Sequence, residues 1–335
     1  MDKNLFLFGG GGYIGTAVIK HFERKKFNIF SIDNYIYDHD YSKKKFTKNT
    51  NLKFINNDFE DFNKYFSKDK INYVVILLGL VGDPITKKYP VISKKINLVY
   101  IKKLLFFLKK KNVSKIIFVS TCSNYGAIPD NVSANEDYKL RPKSLYSKQK
   151  VNIEKFLFKY KNLFNSEITI LRFATAFGIS DRMRFDLTIN EFTREAFINK
   201  YLKIYDPDSW RPYCHVKDFA RIIEKVINNK KKRKKIEVFN CGSNKNNFTK
   251  RQIVNILKKF IPNLEVIYLA EGVDKRNYKV NFTKIENYFN FKPLYSVNKG
   301  ISEIIKCLKN KKYLNIKSFK DKMGNYKITN NKIFL

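Results

Sequence analysis

Cysteine, histidine, tryptophan and acidic side chains are all scarce in this sequence. Its 335 residues include four cysteines, three histidines and one tryptophan. The length excludes a disulfide-stapled mini-protein, and the cysteines form no C-x-x-C pair or zinc-ligand spacing, so we expect no metal site. No apolar run approaches the roughly 20 residues that cross a bilayer, and the apolar stretch at the N-terminus is too short for a signal peptide. We therefore expect no membrane insertion and a location in the reducing cytoplasm.

Basic residues far outnumber acidic ones, with 67 Lys and Arg against 30 Asp and Glu and a formal net charge of +37. Such a charge would suit a nucleic-acid-binding protein. The lysines are spread along the whole chain, however, and no recognised nucleic-acid-binding module is present, so we expect no nucleic-acid partner. Hydrophobic residues make up 44% of the chain, which indicates a folded protein whose basic surface favours a small phosphate-bearing substrate.

Short apolar runs alternate with amphipathic stretches in the first half of the chain, as in βαβ units. The pattern predicts strands at 5–8, 27–32, 52–55, 73–78, 116–120 and 168–173. We therefore expect an α/β fold, a Rossmann-type doubly wound parallel sheet with a smaller C-terminal substrate-binding lobe. The expected division is a dinucleotide-binding domain over 1–175, to which segments around 212–240 return, a lobe mainly over 176–310, and a basic tail over 311–335 with no assigned function.

A glycine-rich turn follows the first predicted strand. Gly9, Gly12 and Gly15 have the spacing G-x-x-G-x-x-G and lead into a predicted helix over 16–23. Glycines at this place allow a tight turn and let a pyrophosphate approach the backbone N–H groups at the helix N-terminus. The loop, with Tyr13 and Ile14 between its last glycines, therefore predicts dinucleotide binding.

An acidic residue ends the second predicted strand. Asp33 lies 18 residues beyond Gly15, where a carboxylate accepts hydrogen bonds from ribose hydroxyls and repels a 2′-phosphate. We therefore predict NAD rather than NADP as the cofactor. Asp58, after the third strand, is either an adenine contact or a plain loop carboxylate. The other expected cofactor contacts are Asn34, Phe59, Leu78 and Gly79.

Hydroxyl, phenol and amine groups follow the fifth predicted strand. Thr121 ends that strand, and Tyr146 and Lys150 stand four residues apart on one face of a predicted helix. A neighbouring ammonium favours the phenolate and lowers the tyrosine pKa, so Tyr146 could exchange a proton with a substrate hydroxyl. Thr121 would lie in the crevice at the carboxyl ends of the strands, where ligands bind in such sheets.

The ordered set of these motifs resembles the extended short-chain dehydrogenase/reductases, and more narrowly the NAD-dependent nucleotide-sugar epimerase/dehydratase family. The likeness covers residues 1 to about 300 and also includes the segments Leu171-Arg-Phe and Arg211-Pro-Tyr-x-His215-Val-x-Asp218. The resemblance implies a tightly held NAD, with Tyr146 as acid/base and Lys150 on the nicotinamide ribose.

The resemblance also implies the substrate contacts. Thr121 would hydrogen-bond the reacting hydroxyl of a nucleotide-diphosphate sugar, and Arg211 would meet its pyrophosphate. Arg276 matches a second nucleotide contact more loosely, and Asn190 is either a diphosphate contact or a surface or interdomain residue. Relatives usually form homodimers through the helix that carries Tyr146 and the one over 91–110, although core packing alone would explain the apolar residues Ile96, Val99, Leu104 and Phe107.

The residues after Thr121 favour one reaction. Members that eliminate water as 4,6-dehydratases carry Asp-Glu there, whereas this chain has Cys122-Ser123 and so lacks those proton-transfer groups. We expect an epimerase that transiently oxidises a sugar hydroxyl, at C4, to a ketone. A 4-dehydrogenase or a 4-ketoreductase is the alternative, and a dehydratase or a non-catalytic binding protein ranks lower.

Further residues carry narrower expectations. Cys122 would be a small buried residue rather than an extra acid/base. Arg182 and Arg184, in an unusually charged segment, would be a solvated loop pair, with recognition of an acidic or highly hydroxylated sugar as the alternative. His215 lies in an apolar, strand-like stretch, so we expect a packed structural histidine.

Overall fold

The protein is described by a computed structural model that covers residues 3–46, 51–56, 62, 71–231, 234–270, 272, 276–310, 313 and 323–329. A seven-stranded parallel sheet is its centre, in the order β3-β2-β1-β4-β5-β7-β11. Its strands are β1 Lys3–Phe8, β2 Phe27–Asp33, β3 Leu52–Asn56, β4 Tyr73–Ile76, β5 Lys115–Thr121, β7 Glu167–Phe173 and β11 Ile236–Cys241. This is the doubly wound α/β sheet that the sequence predicts.

Both faces of the sheet are buried. Because side chains alternate across each strand, every strand contributes side chains to both faces. In β1, Leu5 and Leu7 enter one hydrophobic cluster, whereas Phe6 and Phe8 enter the other. Strands covered on both sides consist of nearly continuous apolar residues, which is why the strands were recognisable in the sequence. Helices cover the two faces, and the carboxyl ends of the parallel strands lie at a common edge.

α-Helices alternate with the strands along much of the chain. They are α1 Tyr13–Phe22, α2 Asp83–Lys88, α3 Pro90–Lys94, α4 Ile101–Leu108, α5 Leu145–Lys159, α6 Thr188–Asn199, α7 Val216–Asn228, α8 Lys250–Phe260, α9 Thr283–Phe289 and α10 Val297–Lys309, with a π-helical stretch over Lys95–Tyr100 between α3 and α4. Helix α1 begins three residues earlier than predicted, inside the glycine motif, because Gly12 already has the extended backbone of an N-cap.

Smaller sheets follow the central one. Strand β10 Trp210–His215 lies between β8 Thr175–Phe177 and β12 Asn247–Thr249, and the two other pairs are β9 Tyr201–Tyr205 with β13 Glu265–Leu269 and β6 Ser133–Ala134 with β14 Lys279–Val280. Helices α6, α8 and α10 pack with β8, β9, β10, β12 and β13 around a third hydrophobic cluster, whereas Ala134 of β6 and Val280 of β14 belong to a cluster of the central sheet. Strand β11 returns to the edge of the central sheet. In the described part of the chain, no helix combines the length and apolarity needed to cross a membrane.

Candidate active site

The glycine loop makes a close turn between β1 and α1. Gly9 has φ +87°, a value that favours glycine, and its N–H donates to the Ile32 carbonyl at 2.8 Å. A Cβ on Gly15 would stand 2.4 Å from the Gly10 carbonyl oxygen, so the helix packs against the turn only with glycine there. The loop therefore leaves the start of α1 open to a cavity.

Asp33 lies beside this loop and is almost fully buried. Its carboxylate accepts hydrogen bonds from the Gly11 and Tyr35 N–H groups, each at 2.9 Å, and its Oδ1 is 3.5 Å from His39 Nε2. Burial opposes ionisation, but His39 and these hydrogen bonds hold the pKa of Asp33 below its usual value. Asp33 is therefore an anion at neutral pH, and no sequence motif indicates its histidine partner.

One cavity of about 490 Å³ collects nearly all of the predicted site residues. It runs from the glycine loop and Asp33, past the ends of β4 and β5, to α5 and the smaller lobe. The predicted residues that line it are Gly9, Gly12, Tyr13, Ile14, Gly15, Asp33, Asn34, Leu78, Gly79, Thr121, Tyr146, Lys150, Arg211 and Arg276. Asp58 and Phe59 lie outside the described residues.

Tyr146 and Lys150 occupy the first turns of α5, whose start is fixed by a capping box at Ser144. The ammonium of Lys150 donates to the Val119 carbonyl at 2.9 Å and lies 5.9 Å from the centre of the Tyr146 ring. Burial lowers the pKa of Lys150 to about 7. The two side chains thus meet in the cavity at the end of β5.

The pKa of Tyr146 differs from the sequence expectation. Burial raises it, while Arg184 and Arg276 act in the opposite direction. Because the Lys150 ammonium is held by a backbone carbonyl and is 5.9 Å from the ring centre, it does not outweigh this burial. In the ligand-free chain the phenol therefore keeps its proton at neutral pH.

Thr121 ends β5 and faces the cavity beside a second hydroxyl that sequence reasoning had not assigned to the site. The Thr121 and Ser123 hydroxyls are 2.9 Å apart, and Thr121 also accepts a hydrogen bond from the Ser123 N–H at 3.2 Å. Between them, Cys122 is buried and its thiol donates to the Arg172 carbonyl. Burial raises the pKa of this thiol, so Cys122 is the expected packed residue and not an acid/base.

Two arginines from the smaller lobe also line the cavity. Arg211, in β10, is buried, donates to the carbonyls of Trp210 and Arg276, and lies over the Tyr278 ring. Arg276 pairs with Asp83, with 2.9 Å between NH1 and Oδ2. Both guanidinium groups line the cavity. Backbone contacts thus fix Arg211, whereas an ion pair holds Arg276.

Asn190 does not line the cavity. Its Oδ1 accepts from the Gly178 N–H at 2.9 Å, and its Nδ2 donates to the Arg184 carbonyl at 2.9 Å and to the Tyr13 hydroxyl at 3.2 Å. These bonds satisfy the buried amide, so the interdomain role fits and the diphosphate contact does not. Spacing alone could not distinguish the two.

Arg182 and Arg184 are buried, so the expected solvated pair is wrong. Both line the cavity, and Arg184 makes a two-point ion pair with Asp186 at 3.0 and 2.5 Å. Arg182 donates to the Gly324 carbonyl at 3.0 Å. The segment folds back under the C-terminal residues 323–329, a long-range contact that the local charge pattern does not reveal.

His215 has the structural role that the sequence predicts. Its Nδ1 accepts a hydrogen bond from the Lys217 N–H at the start of α7, so the proton lies on Nε2, which donates to Glu303 at 2.9 Å. The ring stacks on Tyr295 with 4.2 Å between centroids. These contacts leave His215 with no part in proton transfer within the cavity.

The cavity fits an NAD molecule. Glycine N–H groups at the start of α1 suit a pyrophosphate, and the Asp33 carboxylate suits ribose hydroxyls. Among the described residues, the Asn34 Nδ2 and Tyr37 hydroxyl groups are buried and have no hydrogen-bond partner. Buried polar atoms usually have partners, so these two indicate a polar ligand in the space that they line.

Comparisons with known proteins agree with this geometry. The sequence model of the "NAD dependent epimerase/dehydratase family" matches residues 5–242. A UDP-glucuronate 4-epimerase of Thermodesulfobacterium geofontis is 26% identical over 311 residues, which are 89% of this chain and 93% of that protein.

Solved structures have the same fold. The UDP-glucuronic acid 4-epimerase of Bacillus cereus, in complex with UDP-glucuronic acid and NAD, has a TM-score of 0.82 at 22% identity and covers 92% of this chain and 99% of its own. The UDP-glucose 4-epimerase of Thermus thermophilus, in complex with NAD, has a TM-score of 0.78 at 18% identity and covers 91% and 99%. The predicted fold class, enzyme class and NAD cofactor are confirmed, and the chain belongs to the NAD-dependent epimerase/dehydratase family.

Proposed function

We propose that this protein is a UDP-sugar 4-epimerase in which Tyr146 is the acid/base. The observation that carries the proposal is the meeting of Tyr146, Lys150 and Thr121 in the cavity that also contains Asp33 and the glycine loop. Similar proteins named as 4-epimerases of UDP-glucuronate and UDP-glucose support the choice of UDP-sugars.

The chain itself handles the proton of the reaction. When bound, NAD would supply a hydride acceptor that takes a hydride from the sugar carbon and returns it to the opposite face of the ketone, and its oxidised form would add positive charge to the site. That positive charge would lower the pKa of Tyr146, so that the phenol loses its proton to solvent before the reaction. As the phenolate, Tyr146 takes the proton of the sugar hydroxyl as the ketone forms and gives it back as the ketone is reduced, so the cycle consumes no net proton. Thr121 and Ser123 hold the reacting oxygen through their adjacent hydroxyls.

Lys150 orients ligand rather than transferring the proton. Its Nζ is fixed by the Val119 carbonyl and keeps two further N–H donors for a ribose hydroxyl. Its pKa of about 7 means that the amine carries a partial charge at neutral pH, which a bound anionic ligand would increase.

The substrate diphosphate would lie between Arg211 and Arg276. Planar guanidinium groups suit phosphate oxygens, and both of these line the same cavity as Tyr146. The absence of paired carboxylates after Thr121 argues against a dehydratase, since Cys122 is buried and keeps its proton.

Product analysis tests the reaction. The purified protein, without added cofactor, would be incubated separately with UDP-glucose and UDP-glucuronate and the products identified by NMR. The proposal predicts the C4 epimer of at least one substrate without accumulation of NADH. A keto sugar released with stoichiometric NADH would replace the proposal with a 4-dehydrogenase, and a protein that binds no nicotinamide would contradict it.

A homodimer is the proposed assembly, and the cytoplasm is the proposed location. Of the apolar residues singled out in the sequence, Ile96 and Leu104 are buried, while Val99 is 40% exposed. Other exposed apolar side chains on the helices over 90–108 and on α5 are Val91, Phe106, Leu145 and Phe158. A second copy of the same chain would bury this surface, and four unpaired cysteines suit a reducing compartment.

Light scattering tests the assembly. The parent chain is expected to have twice the monomer mass, and Val99→Glu and Phe106→Glu to have the monomer mass, because a charge opposes burial of the surface. Ile267→Glu, at a residue exposed on β13, is the matched control and should stay dimeric. A monomeric parent chain would contradict the proposal.

A further inference from the structure

The C-terminal segment 323–329 lies against the charged segment that follows β8. The Phe185 N–H donates to the Met323 carbonyl at 2.7 Å, and the Arg182 guanidinium donates to the Gly324 carbonyl at 3.0 Å. The sequence had assigned these C-terminal residues no function, and the family match ends at residue 242. They nevertheless contribute to the wall of the cavity.

The same segment reaches loops on the other side of the cavity. The Asn325 side chain donates from Nδ2 to the Val81 carbonyl at 3.0 Å, and the Thr329 N–H donates to the Ile36 carbonyl at 3.1 Å. Ile328 is buried in the hydrophobic cluster below. The segment is thus anchored to the loops after β2, β4 and β8, all of which surround the proposed ligand.

Asn325 has a polar atom that none of these anchors uses. Its side chain is only 7% exposed and lines the cavity. Nδ2 is satisfied by Val81, but Oδ1 is buried and has no hydrogen-bond partner among the described residues. A buried amide oxygen without a donor is unfavourable, so its position at the cavity indicates a ligand that supplies the donor.

We propose that segment 323–329 is a wall of the ligand site, in which Asn325 Oδ1 accepts a hydrogen bond from a hydroxyl group of the bound ligand. The inference rests on the proposed function, which brings NAD and a UDP-sugar into this cavity. Both molecules carry hydroxyl groups, and an amide oxygen can accept a hydrogen bond from such a group.

Two variants separate ligand binding from anchoring. Asn325→Ala removes both amide functions, whereas Asn325→Asp keeps an acceptor oxygen and loses the donor to Val81. Lys327→Ala is the matched control, because Lys327 belongs to the same segment but is exposed and does not line the cavity. Thermal unfolding of each variant checks that the fold is kept.

Calorimetry would measure the binding of NAD to NAD-depleted protein and of UDP-glucose to the NAD-loaded protein. Asn325→Ala is expected to weaken one of them about five-fold, with Asn325→Asp and Lys327→Ala close to the parent. Weaker NAD binding identifies a cofactor hydroxyl, and weaker UDP-glucose binding identifies a substrate hydroxyl.

Unchanged binding of both ligands by Asn325→Ala would overturn the inference. Equal weakening of ligand binding in Asn325→Ala and Asn325→Asp would also overturn it, because the effect would then come from the lost anchor to Val81. The calorimetric titration with NAD needs no turnover, so it tests the role of Asn325 even when the parent chain forms no epimer. Failure of the parent chain to form an epimer would reject the proposed function alone.

Discussion

Arg276 and Asp83 form an ion pair across the cavity, with 2.9 Å between the guanidinium NH1 and the carboxylate Oδ2. The two residues come from different parts of the fold, Asp83 from the start of α2 after β4 and Arg276 from just before β14. Arg276 is also a proposed contact of the substrate diphosphate. If the substrate diphosphate binds Arg276 as proposed, the carboxylate of Asp83 would compete with it for the same guanidinium.

Asp83→Asn should make substrate binding tighter. Removal of a partly exposed carboxylate partner leaves Arg276 more available, and such pairs are worth little, so the KM for the UDP-sugar is expected to fall about two- to five-fold. The effect should shrink at high salt. Steady-state kinetics would measure it, with Asp208→Asn as a control, since it breaks an exposed pair with Arg251 away from the cavity. A raised KM in Asp83→Asn would show that Asp83 serves the substrate directly.

Asp33→Asn should weaken NAD binding and lower the preference for NAD over NADP. The buried carboxylate is the acceptor proposed for the ribose hydroxyls, and hydrogen bonds to a charged group are worth about 1.5–3 kcal/mol, so the affinity for NAD is expected to fall roughly ten-fold or more. Titration of NAD-depleted protein with each dinucleotide provides the measurement. An unaltered ratio of the two affinities would remove Asp33 from the cofactor site.

Glu303→Gln should destabilise the protein in a pH-dependent manner. Burial opposes ionisation, but His215 and Lys217 lower the pKa of Glu303 to about 2, below the usual 4.5. A lowered carboxyl pKa contributes stability that is complete above pH 4.5 and is lost as the pH falls toward 2. The variant should lose about 1 kcal/mol at pH 7, and the difference from the parent should shrink over that acidic window.

Urea unfolding at several pH values measures this difference. The exposed residue Glu265 provides the control variant Glu265→Gln, for which a smaller loss is expected at every pH. A loss that stays constant from pH 7 down to pH 3 would mean that the carboxylate charge is not what stabilises His215 and α7.

The sequence predicted the parts of the site that depend on local spacing. The glycine loop, Asp33, and the Tyr146–Lys150 pair each lie within one strand-turn-helix or one helix, so their geometry follows from regular secondary structure. The parallel sheet then brings these parts together at the carboxyl ends of its strands.

Residues that depend on long-range packing were not predictable. Arg182 and Arg184 looked solvated because the segment is highly charged, but residues 323–329 cover them. Asn325 had no motif around it, and its place in the cavity arises from contacts with Val81 and neighbouring loops. Asn190 was ambiguous for the same reason, since its partners come from the segment after β8 and from the start of α1.

The pKa of Tyr146 also depends on the assembled fold. A neighbouring lysine is visible in the sequence, but the depth at which the phenol is buried is not, and burial raises the pKa of the phenol. In the ligand-free enzyme Tyr146 is therefore protonated.

The most direct test of the account is the turnover of Tyr146→Phe with the UDP-sugar that the parent epimerises. This variant keeps the ring and loses only the hydroxyl that would exchange the proton, so the account predicts a fall in kcat of roughly 100- to 10,000-fold with NAD and UDP-sugar binding retained. Tyr288→Phe, at a half-buried tyrosine that does not line the cavity, should retain full activity. Undiminished kcat in Tyr146→Phe would contradict the assignment of Tyr146 as the acid/base.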